Sequence, residues 1–479
     1  MAEETVTEPD IQSIPVRLSE LEINEGAWPC PADKLERHKE IENLSPVLLN
    51  AEAPLVFALD APWGGGKTTF IRLWQSYLAR ESKACLYLNA WESDFSEDPL
   101  LPLLAEFDDL LVDEDDESTA KKAMNKAKKY APGLLKSTAL AATKAATFGA
   151  LDLDKEYEKL IADVAEDLTG NLVDSFKVQK ATLTKFKELV AESLDVLPEG
   201  QQNLIIFVDE LDRCRPTYAI ELLERIKHLF DVERIVFVLA VNRDQLSKSL
   251  QGVYGTNFDG MQYLKRFIDL DYQLRVPNLT EYVDAKFELK DIRASFTRIS
   301  ARHGADHRIT VRDITSMLAA RFSYQPRDVD QLIARLRLIT RSIQTNYEIE
   351  PVALVCMLFL REQNSELYER IRNDKNSIND VVLFFAGGNI AEVALPKRFG
   401  NIMGWLIHTC ARDFSGSVSV EVRDYWSQLH ESLSDDMPQK TEVAAILIAM
   451  KGPDDMWGQD EVRETAFKRI ELVSQIDVS

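Results

Sequence analysis

The sequence predicts an α/β fold: a mainly parallel sheet flanked by helices, carrying a helical insertion and followed by a mostly α-helical C-terminal region. Three observations predict it. Continuous apolar runs such as Leu55–Leu59 and Leu204–Val208 read as strands buried on both faces. Stretches with apolar residues at helical spacing alternate with these runs, which implies parallel strands joined by right-handed crossovers. The first run passes into a glycine-rich turn and then directly into a helical pattern, LVFALDAPWGGGKTTFIRL from Leu55 to Leu73.

Taken in order, residues 1–30 are polar and punctuated by proline, a loose lead-in. From Asp33, DKLERHKEIENLSPVLL reads as one amphipathic helix ending near Pro54. The strand, turn and helix that follow are the context a phosphate-binding loop requires. Pro62, Trp63, Gly64, Gly65, Gly66, Lys67, Thr68 and Thr69 are the expected nucleotide-binding positions. Glycines let backbone N–H groups converge on phosphate oxygens, and the helix N-terminus adds its dipole. Lys67 is expected to reach the β and γ phosphates, and the Thr68 hydroxyl to hold Mg²⁺. Ala61 stands where the usual pattern begins with glycine. After a helix from Thr68 to about Arg80, ACLYLNAW (Ala84–Trp91) reads as a second buried strand, followed by an acidic loop and a helix.

Residues 105–200 exceed what a minimal nucleotide-binding core needs, and they read as a helical insertion. An acidic cluster, Asp113–Glu117, precedes a lysine-rich helical stretch. The Ala- and Thr-rich segment Leu134–Leu151 is too short and too mildly apolar to span a membrane, and it carries Lys136 and Lys144. Helical patterns at about 153–178 and 181–194 complete the insertion.

The core resumes over 201–278. NLIIFVDELDRCRP ends a buried strand in Asp209 and Glu210, at the carboxyl end where ligands sit in doubly wound sheets. Asp209 is expected to organise Mg²⁺, and Glu210 to orient or deprotonate an attacking water. A helix over Thr217–Phe230 and the buried strand in RIVFVLAVNRD follow, and Asn242 at that strand's end is expected to bond the γ phosphate or the water. Phe267–Val276 suggests a fifth strand ending at Pro277. With no guanine-reading signature after the later strands, ATP is the default nucleotide.

Composition bounds the function. The net charge is −23, from 79 acidic and 56 basic residues, so nucleic-acid binding over the whole surface is not favoured. Five scattered cysteines read as reduced thiols in a cytoplasmic protein, and the acidic N-terminus lacks a secretory signal.

In their order DKLER, APWGGGKTT, NAWESDFSEDPL, VDELDRCRP, VLAVNRD and YLKRFI, across roughly residues 30 to 340, the chain resembles the KAP family of P-loop NTPases, in the additional-strand, catalytic-glutamate division. The resemblance implies Lys67 and Thr68 for phosphate and Mg²⁺, Asp209 for the metal and Glu210 for water activation. It leaves Arg213 open between bridging to phosphate, acting across a subunit interface, and pairing with Asp212. Arg266, basic after YL, is the second arginine-finger candidate. Asn242 departs from the Asp common at its position. YQPRDVDQLIARLRLI resembles the family's helical motif, with Pro326 in the first turn and Arg327 expected to sense the γ phosphate. Many family members place membrane helices in the insertion, which here is not apolar enough. The family also suggests a bacterial setting and defence against phage.

Residues 279–345 are read as a helical lid and 346–479 as a helical region for partner or substrate recognition. His303, Asp306 and His307 lie close in sequence but lack further ligands and read as surface residues. Trp28, Trp405, Trp426 and Trp457 read as packing residues. The reading is an ATPase coupling nucleotide state to a protein partner, with homo-oligomerisation open and integral membrane insertion not expected. A nucleotide-gated scaffold with little turnover is the alternative, supported by Ala61 and Asn242; a nucleic-acid motor is weaker.

Overall fold

The computed structural model describes residues 28–134 (apart from 32, 113, 116 and 117), 172–275, 278–288, 310–341, 351–411, 418–451 and parts of 464–471. These form two compact units, one up to residue 275 and one from residue 278 onward.

The first unit is built on a five-stranded sheet: β1 (Leu55–Asp60), β2 (Cys85–Asn89), β3 (Leu204–Asp209), β4 (Ile235–Val241) and β5 (Leu270–Gln273), in the order β2-β3-β4-β1-β5. Every pairing is parallel, with Leu55 opposite Val236, Ile205 opposite Val236, Cys85 opposite Ile205 and Phe57 opposite Leu270. The apolar runs explain the layout. β3 and β4 are buried along their whole length, as centre strands covered by helices on both faces must be. Each fully buried Leu, Ile, Val or Phe there contributes about 1.5–3 kcal/mol through removal from water.

The edges depart from expectation. β2 spans Cys85–Asn89 and alternates half-buried with buried residues, rather than running fully buried to Trp91. β5 is shorter than the expected Phe267–Val276 and mostly exposed. Among the described residues each of these strands has one neighbour, and an edge strand is covered less than a central one.

Helices cover both faces. On one side, α1 (His38–Leu49) packs against α2 (Lys67–Arg80), and the buried Trp74 indole of α2 donates to Ser45 Oγ of α1 at 2.7 Å. Asp33 caps α1 from outside, accepting from the backbone N–H groups of Arg37 and His38. On the other side lie the insertion helices α3 (Leu100–Leu110), α4 (Thr119–Tyr130) and α5 (Leu172–Ser193). Their Phe107 stacks on Phe230 and their Phe186 meets it edge-on, and Phe230 contacts Phe237 of β4. The insertion therefore shares the core of the sheet. Its two expected C-terminal helices are one continuous α5 over their described part. The segment 135–151, raised as a membrane question, lies outside the described residues, as do Trp457 and the cluster His303, Asp306 and His307. Among the described residues no helix is long and apolar enough to cross a membrane.

After β3 come a single 3₁₀ turn (Leu211–Arg213), α6 (Pro216–Leu229), β4, α7 (Arg243–Tyr254) and the short α8 (Gly260–Leu264) before β5. All five cysteines are free thiols.

The second unit is helical: α9 (Leu279–Phe287), α10 (Val311–Arg321), α11 (Pro326–Arg341), α12 (Pro351–Gln363), α13 (Ser365–Asn373), α14 (Ile378–Ala386), α15 (Phe399–Cys410), α16 (Val420–Ser432) and α17 (Pro438–Ala449). The apolar α12 is buried from Pro351 to Leu360, as its sequence requires. Gly400 and Gly404 let α15 approach α17 closely: a Cβ on Gly400 would stand 2.1 Å from the Glu442 carbonyl oxygen. Trp405 stacks on His408, and the fully buried Trp426 donates to Asn379, so both tryptophans are packing residues.

Candidate functional site

The site lies at the carboxyl ends of β1, β2 and β3. β4 separates β1, which delivers the glycine loop, from β3, which delivers the acidic pair. The crevice outside the carboxyl ends of such strands is where open α/β sheets bind ligands.

The loop runs from Ala61 to Gly66. Gly64 and Gly66 hold positive φ of 78° and 90°, a conformation that glycine takes without a side-chain penalty, and Gly66 leads straight into α2. Ala61 is not among the described non-glycine residues with positive φ, so its side chain imposes no left-handed strain. It is buried, and its N–H donates to the Val241 carbonyl at 3.1 Å, anchoring the loop to β4. Next to it Asp60 accepts from the Arg243 N–H at 3.1 Å.

Lys67 folds back over the loop, its amine 2.8 Å from the Ala61 carbonyl and 3.4 Å from that of Pro62. Burial pushes its pKa down, and Asp212, then Asp209 and Asp60, pull it back up. Three carboxylates thus act through their charge on one buried lysine whose amine is held by loop carbonyls.

Asp209 is fully buried at 0 % exposure. Burial raises its pKa, while a hydrogen bond from the Thr68 hydroxyl, the Glu210 N–H at 2.8 Å and Lys67 oppose the rise. Tyr87 Oη adds a bond at 3.3 Å. Thr68 and Asp209, distant in sequence, thus meet directly. Hydroxyl and carboxylate oxygens are the donors Mg²⁺ prefers, and it is held with few protein ligands and completed by phosphate and water. Among the described residues no group of three or more His, Cys, Asp and Glu side chains is gathered to hold a metal unaided. The residues present fit a metal that arrives with phosphate.

Glu210 sits beyond Asp209 in the left-handed region, φ 60° and ψ 23°. Burial raises its pKa, and Arg213 is the main opposing influence. Arg213 Nη1 lies 2.9 Å from Glu210 Oε1, so within the chain it pairs with Glu210 rather than with Asp212. The Asp212 carboxylate takes the Trp63 indole N–H instead, at 2.5 Å. Asn242 caps α7, its Oδ1 accepting from the Gln245 N–H at 3.2 Å, so its side-chain oxygen serves the helix.

Of the two other expected arginines, Arg266 belongs to the same unit as the loop and Arg327 to the second unit. Arg266 precedes β5, so it emerges at the amino-terminal edge of the parallel sheet, where it is exposed beside the Tyr263 ring. Leu270 is level with Phe57, and four residues of strand alone put roughly 13 Å between that level and the loop. Arg266 is out of reach of its own chain's loop. Arg327 is exposed at the start of α11, in the second unit, where Pro326 occupies the helix's first position.

The residue that sequence reasoning missed is Asn89. It ends β2 in register with Asp209, and its side chain hydrogen-bonds Glu210. Its position, as a polar residue closing the strand next to β3, was the available signal.

A sheet with an extra strand between a glycine loop and an acidic pair defines a P-loop protein of the type that keeps a glutamate beside its aspartate. The KAP family P-loop domain matches residues 37–343, and the chain belongs to that family. The chain is also similar to the phage T7 exclusion protein of Escherichia coli (strain K12), at 23 % identity over 351 residues. That match covers 71 % of this chain and 46 % of the relative, so the chain spans about half the relative's length.

Proposed function

We propose that this chain binds ATP with Mg²⁺ and hydrolyses it to ADP and phosphate, coupling nucleotide state to a protein partner. The observation that carries the reading is the meeting of Lys67, Thr68, Asp209 and Glu210 at one end of one sheet. Lys67 exchanges the loop carbonyls for β- and γ-phosphate oxygens, and backbone N–H groups at the start of α2 serve the same phosphates. Thr68 and Asp209 hold Mg²⁺, which when bound supplies positive charge beside the phosphates. Glu210 accepts a proton from water as the water oxygen bonds to the γ phosphorus and the bond to the β–γ bridging oxygen breaks. Arg327 remains the proposed sensor of the γ phosphate.

The name of the phage T7 exclusion protein supports a defence role against phage. The insertion or the helical second unit is the proposed surface for a protein partner, and free thiols fit a cytoplasmic setting. A nucleotide-gated scaffold with little turnover is a second reading, favoured by the ion pair that occupies Glu210.

The reading is tested by titrating the full chain with ATP and GTP, with and without Mg²⁺. ATP is expected to bind in a Mg²⁺-dependent way and Lys67→Ala to lose at least tenfold in affinity, on the order of one charge-assisted contact. Equal ATP affinity in Lys67→Ala and the natural chain would remove the loop from the account.

A further inference from the structure

Phe95 is 90 % exposed, on a loop that is tied down along its length. At its start Asn89 Oδ1 accepts from the N–H groups of Trp91 and Glu92, at 3.1 and 3.2 Å. In its middle Arg215 binds the Asp94 carboxylate through its backbone N–H and Nε, each at 2.9 Å. At its end the buried Asp98 accepts from the Leu100 N–H at 2.9 Å and pairs with Arg225. A large apolar ring held in water by so many fixed bonds is preorganised for contact.

Two further exposed rings adjoin the turn that pins this loop. Trp63, 49 % exposed, donates to Asp212, and Trp91, 53 % exposed, has the Arg213 guanidinium 5.9 Å from its ring centre. Residues 212, 213 and 215 thus gather Trp63, Trp91 and the loop of Phe95 at the carboxyl end of the sheet. We propose that this aromatic face docks a segment of a partner protein that carries arginine or lysine beside apolar residues. It is a partner surface on the nucleotide-binding unit itself, and it rests on the reading that the chain acts through a protein partner.

Tryptophan and phenylalanine dominate the centres of protein interfaces, and charge selects what meets them here. The loop carries four carboxylates, Glu92, Asp94, Glu97 and Asp98. Arg215 and Arg225 match Asp94 and Asp98, and Arg213 beside Trp91 is paired with Glu210. Glu92 and Glu97 stand exposed on either side of Phe95, with no ion-pair partner among the described residues. The face therefore presents aromatic rings together with uncompensated negative charge. Both attract a cation, and Arg213 beside the Trp91 ring is one such contact within the chain. A phosphate backbone or an anionic membrane would meet Glu92 and Glu97 as like charges.

The experiment titrates the full chain into a fluorescein-labelled amphipathic peptide of leucine and arginine, read by anisotropy, with a leucine–glutamate peptide alongside. The natural chain is expected to bind the arginine peptide and not the glutamate one. Phe95→Ser should weaken that binding about threefold, and Phe95→Ser with Trp91→Ser roughly tenfold, the scale of exposed cation–π contacts. Phe95→Ser alone keeps the test open if the double variant does not fold. Ile448→Ser removes another exposed apolar side chain, in the second unit, and should change nothing. Affinity for a fluorescent ATP analogue should hold at the natural value in every variant. Arginine-peptide affinity that is the same in the natural chain and both loop variants, with analogue binding intact, overturns the docking face. Equal binding of the glutamate peptide, of single-stranded DNA or of anionic vesicles overturns it too, as does self-association in sedimentation that the double variant abolishes. A natural chain that binds the arginine peptide through Phe95 but no ATP analogue overturns the nucleotide reading and leaves the docking face in place.

Discussion

The Trp63 indole N–H donates to the Asp212 carboxylate at 2.5 Å, tying the glycine loop to the turn after β3. Asp212 is also the carboxylate that acts most strongly on the Lys67 amine. The tryptophan therefore holds at the loop the carboxylate that most raises the Lys67 pKa.

Trp63→Phe frees Asp212 to compete for Lys67. Nucleotide affinity is expected to weaken about five- to tenfold, the scale of one hydrogen bond to a charged group. Calorimetric titration with ADP checks this, and unchanged affinity would make the bond a passive one.

Asn242→Ala removes the α7 cap, with an expected stability loss of about 1 kcal/mol and little change in nucleotide affinity. Urea unfolding and nucleotide titration read the two effects separately. A large affinity loss at unchanged stability would restore Asn242 as a phosphate sensor.

Gly404→Ala puts a Cβ 2.7 Å from the Ala449 Cβ and from the Ile446 carbonyl oxygen. Overpacking at such a backbone contact costs about 1–3 kcal/mol, because α15 must move off α17. Thermal melting should show the loss, while Lys67-dependent ATP binding persists.

Asp330 of α11 accepts from Tyr282 Oη at 2.9 Å and pairs with Lys286 at 3.0 Å. Burial nonetheless raises its pKa above the ordinary value, against the pull of Lys286 and Tyr282. A carboxyl with a higher pKa folded than unfolded costs stability when ionised, and that cost fades as pH falls through the folded pKa. The natural chain should therefore gain stability relative to Asp330→Asn as pH drops from neutral toward the carboxylate range. Urea unfolding of both proteins across pH tests the sign; a relative loss on acidification contradicts it.

The central strands were legible because β1, β3 and β4 are buried on both faces and their runs are nearly all apolar. β2 and β5 were overextended, since pattern alone cannot tell an edge strand from a covered one. In the site, the loop and the acidic pair could be read because each is contiguous in sequence. The bonds Trp63–Asp212 and Asn89–Glu210 could not, because each joins segments separated by the insertion. Arg266 lies away from its own chain's loop for a topological reason: a residue just before a parallel strand emerges at the opposite end of the sheet.

The most direct test compares ATP binding and phosphate release in the natural chain and Glu210→Gln, with Lys67→Ala as the binding-deficient reference. A water-activating Glu210 predicts that Glu210→Gln binds ATP as tightly as the natural chain and releases phosphate roughly 100-fold more slowly. Phosphate release from Glu210→Gln at the natural rate would contradict it.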